Sequence, residues 1–203
     1  MASTIESALR ERYQQDGYLC PVDVLTAGQA AGHRAHLERL EAQHGPLHYK
    51  TKPYLLSTSA YEICRHPRLL DAVEAAIGPD ILLWDSAYII KEPGEGRFVS
   101  WHQDLTYWGL DSDRQVTAWL ALSPATPESG CMQVIPGSHH EGAKPHDDTR
   151  ADDNILHRGQ DASRYVDESK AIHMSLEPGQ ASLHHGWLFH GSGANRSDRK
   201  SVV

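Results

Sequence analysis

The segment His102-Gln103-Asp104 places an imidazole and a carboxylate two residues apart, inside the aromatic stretch WHQDLTYWGL. In a β-strand, residues i and i+2 point to the same face, so His102 and Asp104 would project together to one side. An imidazole and a carboxylate on one face supply two of the three protein ligands of a facial metal site. A hydrogen-bonded His–Asp pair without a metal explains the same two residues, and the pair taken alone favours that simpler interpretation.

A third ligand must come from a distant strand, because a facial site is closed from across the sheet. Three histidines lie in the C-terminal stretch ASLHHGWLFHGSGAN, namely His184, His185 and His190. His190 directly precedes the turn-forming GSGAN, so we expect it at a strand end, where a side chain can reach a cavity mouth. His190 is therefore the predicted third ligand. We expect structural roles for His184 and His185, which remain alternatives for the third position.

An arginine follows His190 at a distance of nine residues, in the strand-like RKSVV. An arginine inside a barrel strand is costly unless it meets an anion, and its guanidinium group binds carboxylates through two parallel hydrogen bonds. Alone, Arg199 would more often be a surface charge. Together with two histidines and one carboxylate, an inward-facing Arg199 would describe an iron site with a receptor for a dicarboxylic acid.

The first 80 residues are predicted to be mainly helical. Apolar residues recur at helical spacing in three segments, which are 4–15, 27–44 and 67–77. Ser3 or Thr4 can cap the first of these helices, Thr26 opens the second, and Gly45 and Gly78 end the second and the third. The stretch YLCPVDVL, between the first and second helices, predicts a short strand.

After residue 80 the sequence pattern changes to short apolar or alternating runs that are separated by turn residues. These runs are ILLWDSAYII, FVSWHQDLTYW, QVTAWLAL, CMQVIPGS, AIHMSL and ASLHHGWLFHG. Short strands after a helical prelude predict a mainly β protein with helices (α+β), as a single β-barrel or sandwich with the helices packed outside. We expect one domain over 1–203, with a helical prelude at 1–80 and a β-barrel core at 81–203.

Residues 140–169 have few apolar side chains and no clear period. A solvated surface loop is the simplest interpretation of this segment. Unstructured loops of this length are uncommon inside compact domains, however, and many of them are lids or binding loops. A lid over an active site is therefore the alternative interpretation.

The composition limits the class of protein. The chain has 203 residues, a net charge of −8 and 14 histidines, so its charge gives no reason to expect binding to nucleic acid or to an anionic membrane. No apolar run approaches the roughly 20 residues of a membrane span. The three cysteines are odd in number and widely spaced, which is typical of reduced thiols. We expect a cytoplasmic monomer or small homo-oligomer.

Three stretches of the sequence carry a resemblance to a known family. WHQD, VTAWLALSPATPESGCMQVIPGSH and HGSGANRSDR resemble the phytanoyl-CoA dioxygenase family of non-haem iron, 2-oxoglutarate-dependent oxygenases. The N-terminal DGYLCPVDVLT and the later YIIKEPG are also similar to this family, so the resemblance covers nearly the whole chain. It implies a double-stranded β-helix (a jelly-roll, cupin-like barrel) with the N-terminal helices packed outside.

The resemblance also implies the residues of the site. The iron ligands would be His102, Asp104 and His190. Arg199 would bind the far carboxylate of 2-oxoglutarate with Ser192 beside it, and the other implied co-substrate residues are Trp119, Gln103 and Lys91.

The sequence departs from the family pattern in two respects. The chain stops at Val203, whereas family members usually complete this strand and continue, so the C-terminal edge of the barrel is expected to be either missing or supplied differently. The family's arginine also often falls slightly later in the strand, where this chain has Lys200 and Ser201. Arg196 is the fallback for the role assigned to Arg199.

The activity that the resemblance implies requires Fe(II), 2-oxoglutarate and O2. It is hydroxylation of an unactivated C–H bond in a small-molecule substrate, with release of succinate and CO2. Related halogenases replace the carboxylate ligand with a small residue, so the presence of Asp104 favours hydroxylation. Specificity is expected to lie in 140–169 and in 49–59, and the absence of a dense basic patch favours a small polar or moderately hydrophobic metabolite over a CoA thioester.

Two other classes of protein remain open on the same residues. A His2Asp site also suits zinc, so the chain could be a metal hydrolase, in which Arg199 would have no purpose. A barrel that binds a small molecule without catalysis is the second alternative, because fold does not determine function.

Overall fold

The computed structural model of the chain describes residues 4–149, 151–156 and 160–203, with side chains described from residue 7 onward. Ser3 and the side chain of Thr4, the predicted caps of the first helix, lie outside the described residues. No helix within the described ranges is long and apolar enough to cross a membrane.

The three predicted helices are confirmed. They are α1 (Thr4–Asp16), α2 (Ala27–His44) and the helix at Pro67–Ile77. Thr26 caps α2 through a capping box with Gln29, in which each side chain accepts a hydrogen bond from the other residue's backbone N–H. Gly78 follows the third helix with φ of 95°, a left-handed value that favours glycine. A further helix, α3 (Thr58–Cys64), was not predicted, and the helix at Pro67–Ile77 is therefore α4.

Within the described ranges, the strands form two antiparallel sheets and two short pairs. Their bounds are β1 Tyr18–Asp23, β2 Ile90–Lys91, β3 Val99–His102, β4 Val116–Leu120, β5 Met132–Val134, β6 Asp147–Asp148, β7 Gln160–Asp161, β8 Ile172–His173, β9 Gln180–His185, β10 His190–Ser192 and β11 Ser201–Val202. The strand orders are β1-β9-β4, β3-β10-β5-β8, β11-β2 and β6-β7. The mixed α and β character is confirmed. Closure into a jelly-roll barrel stays a prediction, because the strand ladders of the described residues form separate sheets.

Side chains that alternate along β9 separate the helical layer from the interior. Ala181 and Leu183 are fully buried against the helices, in a cluster that includes Leu37 of α2 and Val73 of α4. The alternate residues of β9 point to the opposite face. That face meets the second sheet, because a separate apolar cluster joins β1 and β4 side chains to Met132, Val134, Met174 and Leu188. The helical prelude therefore packs outside, and the second face of β9 is available for a site.

Two predicted strands are shorter than expected. In the run ILLWDSAYII, residues 81–89 form no strand, and only Ile90 pairs with β11. The strand was predicted from the apolar side chains of this run, but these side chains are not all buried: Leu82 is 85% exposed and Trp84 is 48% exposed. In FVSWHQDLTYW the strand ends at His102, and a short helix, α5 (Leu105–Trp108), follows and ends at Gly109 with φ of 63°.

Residues 140–169 are more ordered than a purely solvated loop. The hairpin β6–β7 and two short 3-10 turns occupy part of this segment, although residues 150 and 157–159 lie outside the described ranges. The segment packs along β3, where the N–H of Ala162 donates to the carbonyl of Trp101 at 2.8 Å. Ile155, Leu156 and Ala162 are buried. The segment is therefore fixed to the strand that carries His102.

Candidate metal centre

The histidines predicted as ligands stand opposite each other on neighbouring strands. β3 and β10 are antiparallel, and His190 is the direct partner of His102 in their register. The Nε2 atoms of His102 and His190 lie 3.5 Å and 3.6 Å from Oδ1 of Asp104. One donor atom from each of the three residues lies within 4.8 Å of the other two. The three predicted ligands are thus brought together.

Asp104 reaches this cluster by a different route from the one predicted. It lies beyond the end of β3 and has helical backbone angles, φ −60° and ψ −47°, at the start of α5. The argument from alternation along one strand was therefore wrong in detail. The turn into α5 nevertheless brings the carboxylate to the same side as His102.

The backbone determines which nitrogen of each histidine carries the proton. Nδ1 of His102 lies 2.9 Å from the carbonyl of Ser100, and Nδ1 of His190 lies 2.9 Å from the carbonyl of Leu188. A carbonyl only accepts hydrogen bonds, so both Nδ1 atoms are donors and both Nε2 atoms keep their lone pairs when the rings are neutral. Two imidazole lone pairs and a carboxylate oxygen then converge with no hydrogen between them, and a bound cation resolves this repulsion. The residues therefore fit a divalent metal.

The electrostatics of the cluster agree with this assignment. Burial, and then the neighbouring His190, lower the pKa of His102, which keeps its imidazole neutral. Burial opposes the charge on Asp104, but His190 and the other neighbouring histidines hold the pKa of the carboxyl well below its usual value. Neutral imidazole and ionised carboxylate are the protonation states that bind metals.

The second oxygen of Asp104 faces Thr117, which the sequence reasoning did not identify, and His184, which it kept as an alternative third ligand. The Thr117 hydroxyl donates to Oδ2 at 2.8 Å, and Nε2 of His184 lies 3.4 Å from the same oxygen. The amide nitrogen of Gln115 donates to the Thr117 hydroxyl at 3.0 Å, which leaves that hydroxyl its proton for Asp104. The alternation in VTAW, which places Thr117 on the face of Trp119, is the one sequence signal that could have pointed to Thr117.

A buried lysine contacts β10, the strand that carries His190. Lys91 is 4% exposed, and its Nζ donates to the Ser192 hydroxyl at 2.7 Å and to the carbonyls of Gly193 and Gly130 at 2.5 and 3.1 Å. All three acceptors are uncharged. Burial lowers the pKa of Lys91 to about 8. Since Ser192 lies two residues after His190 on β10, the ammonium group is on the ligand side of the sheet.

Trp119 occupies the interior face of β4. It stands opposite Ser182 in the β4–β9 register, two residues from the pair formed by Thr117 and His184 and on the same face. Trp119 is half-buried, whereas Ser182 is fully buried and its hydroxyl has no hydrogen-bond partner in the described residues. These positions line the interior between the two sheets.

The structure does not bring Arg199 to the site. Its side chain is 73% exposed and lies 3.6 Å from Asp198, which is also exposed. The physical reason is the position of the strand, since β11 begins at Ser201 and leaves Arg199 in the preceding turn. Arg196, the fallback, is exposed as well. The expectation of an inward-facing arginine was wrong.

Gln103 is fully buried, but its hydrogen bonds go elsewhere. Its amide nitrogen donates to the carbonyls of Gly142 and Trp187, and its amide oxygen accepts from the backbone N–H of Lys144. These bonds use the polar atoms of the side chain. Gln103 therefore anchors residues 142–144 and is not available to a co-substrate.

Solved structures with this fold include non-haem oxygenases. The chain superposes on the apo form of the non-heme monooxygenase ThoJ with a TM-score of 0.82 and 34% identity, covering 96% of this chain and 74% of ThoJ. It superposes on EvdO2 from Micromonospora carbonacea var. aurantiaca complexed with 2-oxoglutarate with a TM-score of 0.75 and 25% identity, covering 100% of this chain and 89% of EvdO2.

The sequence comparisons specify the family. The profile of the family described as phytanoyl-CoA dioxygenase (PhyH) matches residues 13–201, and the chain belongs to this family. The peroxisomal phytanoyl-CoA dioxygenase of Homo sapiens is 30% identical over 159 residues, which cover 75% of this chain and 47% of the human protein. The chain thus spans about half the length of the curated relatives it matches.

Proposed function

We propose that the chain is an Fe(II)- and 2-oxoglutarate-dependent dioxygenase that hydroxylates an unactivated C–H bond of a small-molecule substrate, with release of succinate and CO2. The observation that carries this proposal is the convergence of three unprotonated donor atoms, from His102, Asp104 and His190, within 4.8 Å. Membership of the phytanoyl-CoA dioxygenase family supports the choice of iron and 2-oxoglutarate.

The donor set suits Fe(II) chemistry. Two neutral imidazoles and one carboxylate occupy one face of an octahedron and leave three positions open. When bound, the metal would supply activation of O2 with 2-oxoglutarate as the co-substrate. His102, Asp104 and His190 would hold the metal on one face. Both histidines donate their Nδ1–H to backbone carbonyls, and the surroundings of Asp104 keep it ionised.

Lys91 replaces Arg199 as the proposed receptor for the far carboxylate of 2-oxoglutarate. Its ammonium group is buried, has only uncharged acceptors in the described residues, and already contacts the Ser192 hydroxyl. A buried cation without an anionic partner is costly, and a bound carboxylate would offset that cost. We assign Ser192 as a second donor to the same carboxylate and Trp119 as a wall of the co-substrate pocket.

The substrate is proposed to enter beside the segments 49–59 and 140–169. Tyr49 has a left-handed φ of 56°, which is uncommon for a tyrosine and occurs preferentially at functional sites. Burial, and then the charge of Asp104, raise the pKa of Tyr49, so its phenol lies within electrostatic reach of the cluster. Residues 140–169 pack along β3, the strand that carries His102. A small polar or moderately hydrophobic metabolite stays the proposed class of substrate, and a cytoplasmic location stays a prediction.

Calorimetry with ordered additions tests the proposal. Metal-free protein is titrated first with Fe(II) under anaerobic conditions and then with 2-oxoglutarate, with His102→Ala as the variant that lacks a ligand. We expect one metal per chain and heat from 2-oxoglutarate only after the metal is bound. Metal binding without metal-dependent binding of 2-oxoglutarate would favour a zinc hydrolase, and an absence of metal binding would favour a non-catalytic binding protein.

A further inference from the structure

We propose that His184 and Thr117 are positioning residues that hold Oδ2 of Asp104, so that the carboxylate presents only Oδ1 to the metal. This inference rests on the proposed function. It assigns a role to a histidine that would otherwise be a packed side chain of β9, and to a threonine of the facing strand.

His184 is a buried imidazole that lacks ordinary hydrogen bonds. It is 1% exposed, and neither of its ring nitrogens has a hydrogen-bond partner of good geometry in the described residues. Buried polar atoms in folded proteins are normally satisfied, so an exception needs a reason. The acceptor that His184 faces is Oδ2 of Asp104, 3.4 Å from its Nε2, and its ring centroid lies 4.5 Å from that of His190.

The register of the sheet brings Thr117 and His184 to the same oxygen. Thr117 of β4 is the direct antiparallel partner of His184 of β9, and directly opposed residues project to the same face. Both side chains therefore approach Oδ2 from one sheet, whereas His102 and His190 approach Oδ1 from the other. The two oxygens of Asp104 are thus given different partners.

This division of partners has a consequence for the metal. A carboxylate whose second oxygen is engaged binds through one oxygen only, and a facial site then keeps three positions for a two-point ligand and O2. If Thr117 and His184 are removed, the carboxylate is free to rotate, and the geometry around the metal is no longer fixed. Partners of ligating groups typically contribute about 10- to 100-fold to metal affinity.

The test measures the affinity of the metal-free protein for Co(II), which also reports coordination through its visible spectrum. The variants are His184→Leu and Thr117→Val, which lose the donor, and His184→Gln and Thr117→Ser, which keep one. His185→Leu is the matched control, because His185 is the next histidine on β9 and points to the opposite face. Thermal unfolding of each metal-free variant identifies the folded ones.

We expect the dissociation constant of Co(II), measured by competition with a chelating dye, to rise about 10- to 100-fold in His184→Leu and Thr117→Val. The conservative variants should recover most of the affinity, and His185→Leu should bind as the wild type does. If His184→Leu does not fold, the comparison of Thr117→Val with Thr117→Ser and of His184→Gln with the wild type decides the question. Unchanged affinity and an unchanged spectrum in the folded donor-free variants would overturn the inference alone. A wild-type protein that binds no metal would instead overturn the proposed function.

Discussion

Replacement of Lys91 by methionine should change the affinity for 2-oxoglutarate much more than the free energy of unfolding. The substitution removes a single buried charge and keeps the length of the side chain. Burial lowers the pKa of Lys91 from 10.5 to about 8, and at roughly 1.4 kcal/mol per pH unit this corresponds to a cost of about 3 kcal/mol for the ammonium ion inside the protein. The Lys91→Met variant avoids that cost. It also leaves three acceptors, among them the Ser192 hydroxyl, without their donor, which costs about 1–3 kcal/mol.

These opposing contributions predict a metal-free variant whose free energy of unfolding is close to that of the wild type. The effect on co-substrate binding should be much larger. Loss of one partner of a buried, hydrogen-bonded charge pair costs about 2–5 kcal/mol, so the dissociation constant of 2-oxoglutarate should rise at least about 30-fold. The assay is calorimetric titration of 2-oxoglutarate into the Mn(II)-loaded protein, with urea unfolding of the same samples.

Lys200→Met is the matched control. Lys200 precedes β11, the strand paired with that of Lys91, but its ammonium group lies 2.6 Å from Glu41 and 3.0 Å from Glu92. Its loss should lower the free energy of unfolding and leave the affinity for 2-oxoglutarate unchanged. An affinity of Lys91→Met within twofold of the wild-type value would refute the assignment of Lys91 as the carboxylate receptor.

The pH dependence of co-substrate binding provides an independent check on Lys91. Its pKa in the metal-free protein is about 8, so the free protein loses the required proton as the pH rises through this value. The dissociation constant of 2-oxoglutarate should therefore be constant below about pH 7 and rise by about tenfold per pH unit well above pH 8. A constant affinity between pH 7 and pH 10 would contradict the role of the charge.

Three further outcomes are expected. Arg199→Ala should bind 2-oxoglutarate with wild-type affinity, because its side chain is 73% exposed; a tenfold loss in the same titration would restore the assignment made from the sequence. Burial, and then His139, lower the pKa of His185 to about 4. The unfolded chain therefore takes up a proton on this residue at higher pH than the folded chain does. The free energy of unfolding should fall as the pH drops from about 6.5 to 4. Urea unfolding across this range should show a shallower fall in His185→Gln, and an identical slope would count against this cause. Leu183→Ala, at a fully buried position of β9, should lower the free energy of unfolding by about 2–5 kcal/mol in urea, and a loss below 1 kcal/mol would show that the helices do not pack on this face.

Local chemistry made part of the fold predictable. Thr26 and Gly78 marked helix ends because capping and left-handed backbone depend on the residue itself and its near neighbours. The apolar run at 81–89 was wrongly predicted to be a strand because apolar side chains alone do not determine one: Leu82 and Trp84 are exposed, and Tyr88 forms an isolated bridge with His48.

The three metal ligands of the candidate site could be predicted from the sequence, but the residues that contact Asp104 behind them could not. His102, Asp104 and His190 are chemically distinctive, and the family resemblance placed each of them. Thr117 and His184 meet only through the register of β4 and β9, which joins residues far apart in the chain. Arg199 was misassigned for a related reason, since a difference of two residues in the start of a strand decides whether a side chain points inward or to solvent.

The central claim is that His102, Asp104 and His190 bind Fe(II) in a geometry that accepts 2-oxoglutarate at the metal. The most direct measurement is the visible absorption spectrum of the metal-free protein after anaerobic addition of Fe(II) and 2-oxoglutarate. We predict a charge-transfer band that appears only after both additions. The band should be absent in His102→Ala, and in Arg199→Ala it should form at the same 2-oxoglutarate concentrations as in the wild type. Bound metal without such a band in the wild-type protein would contradict the account.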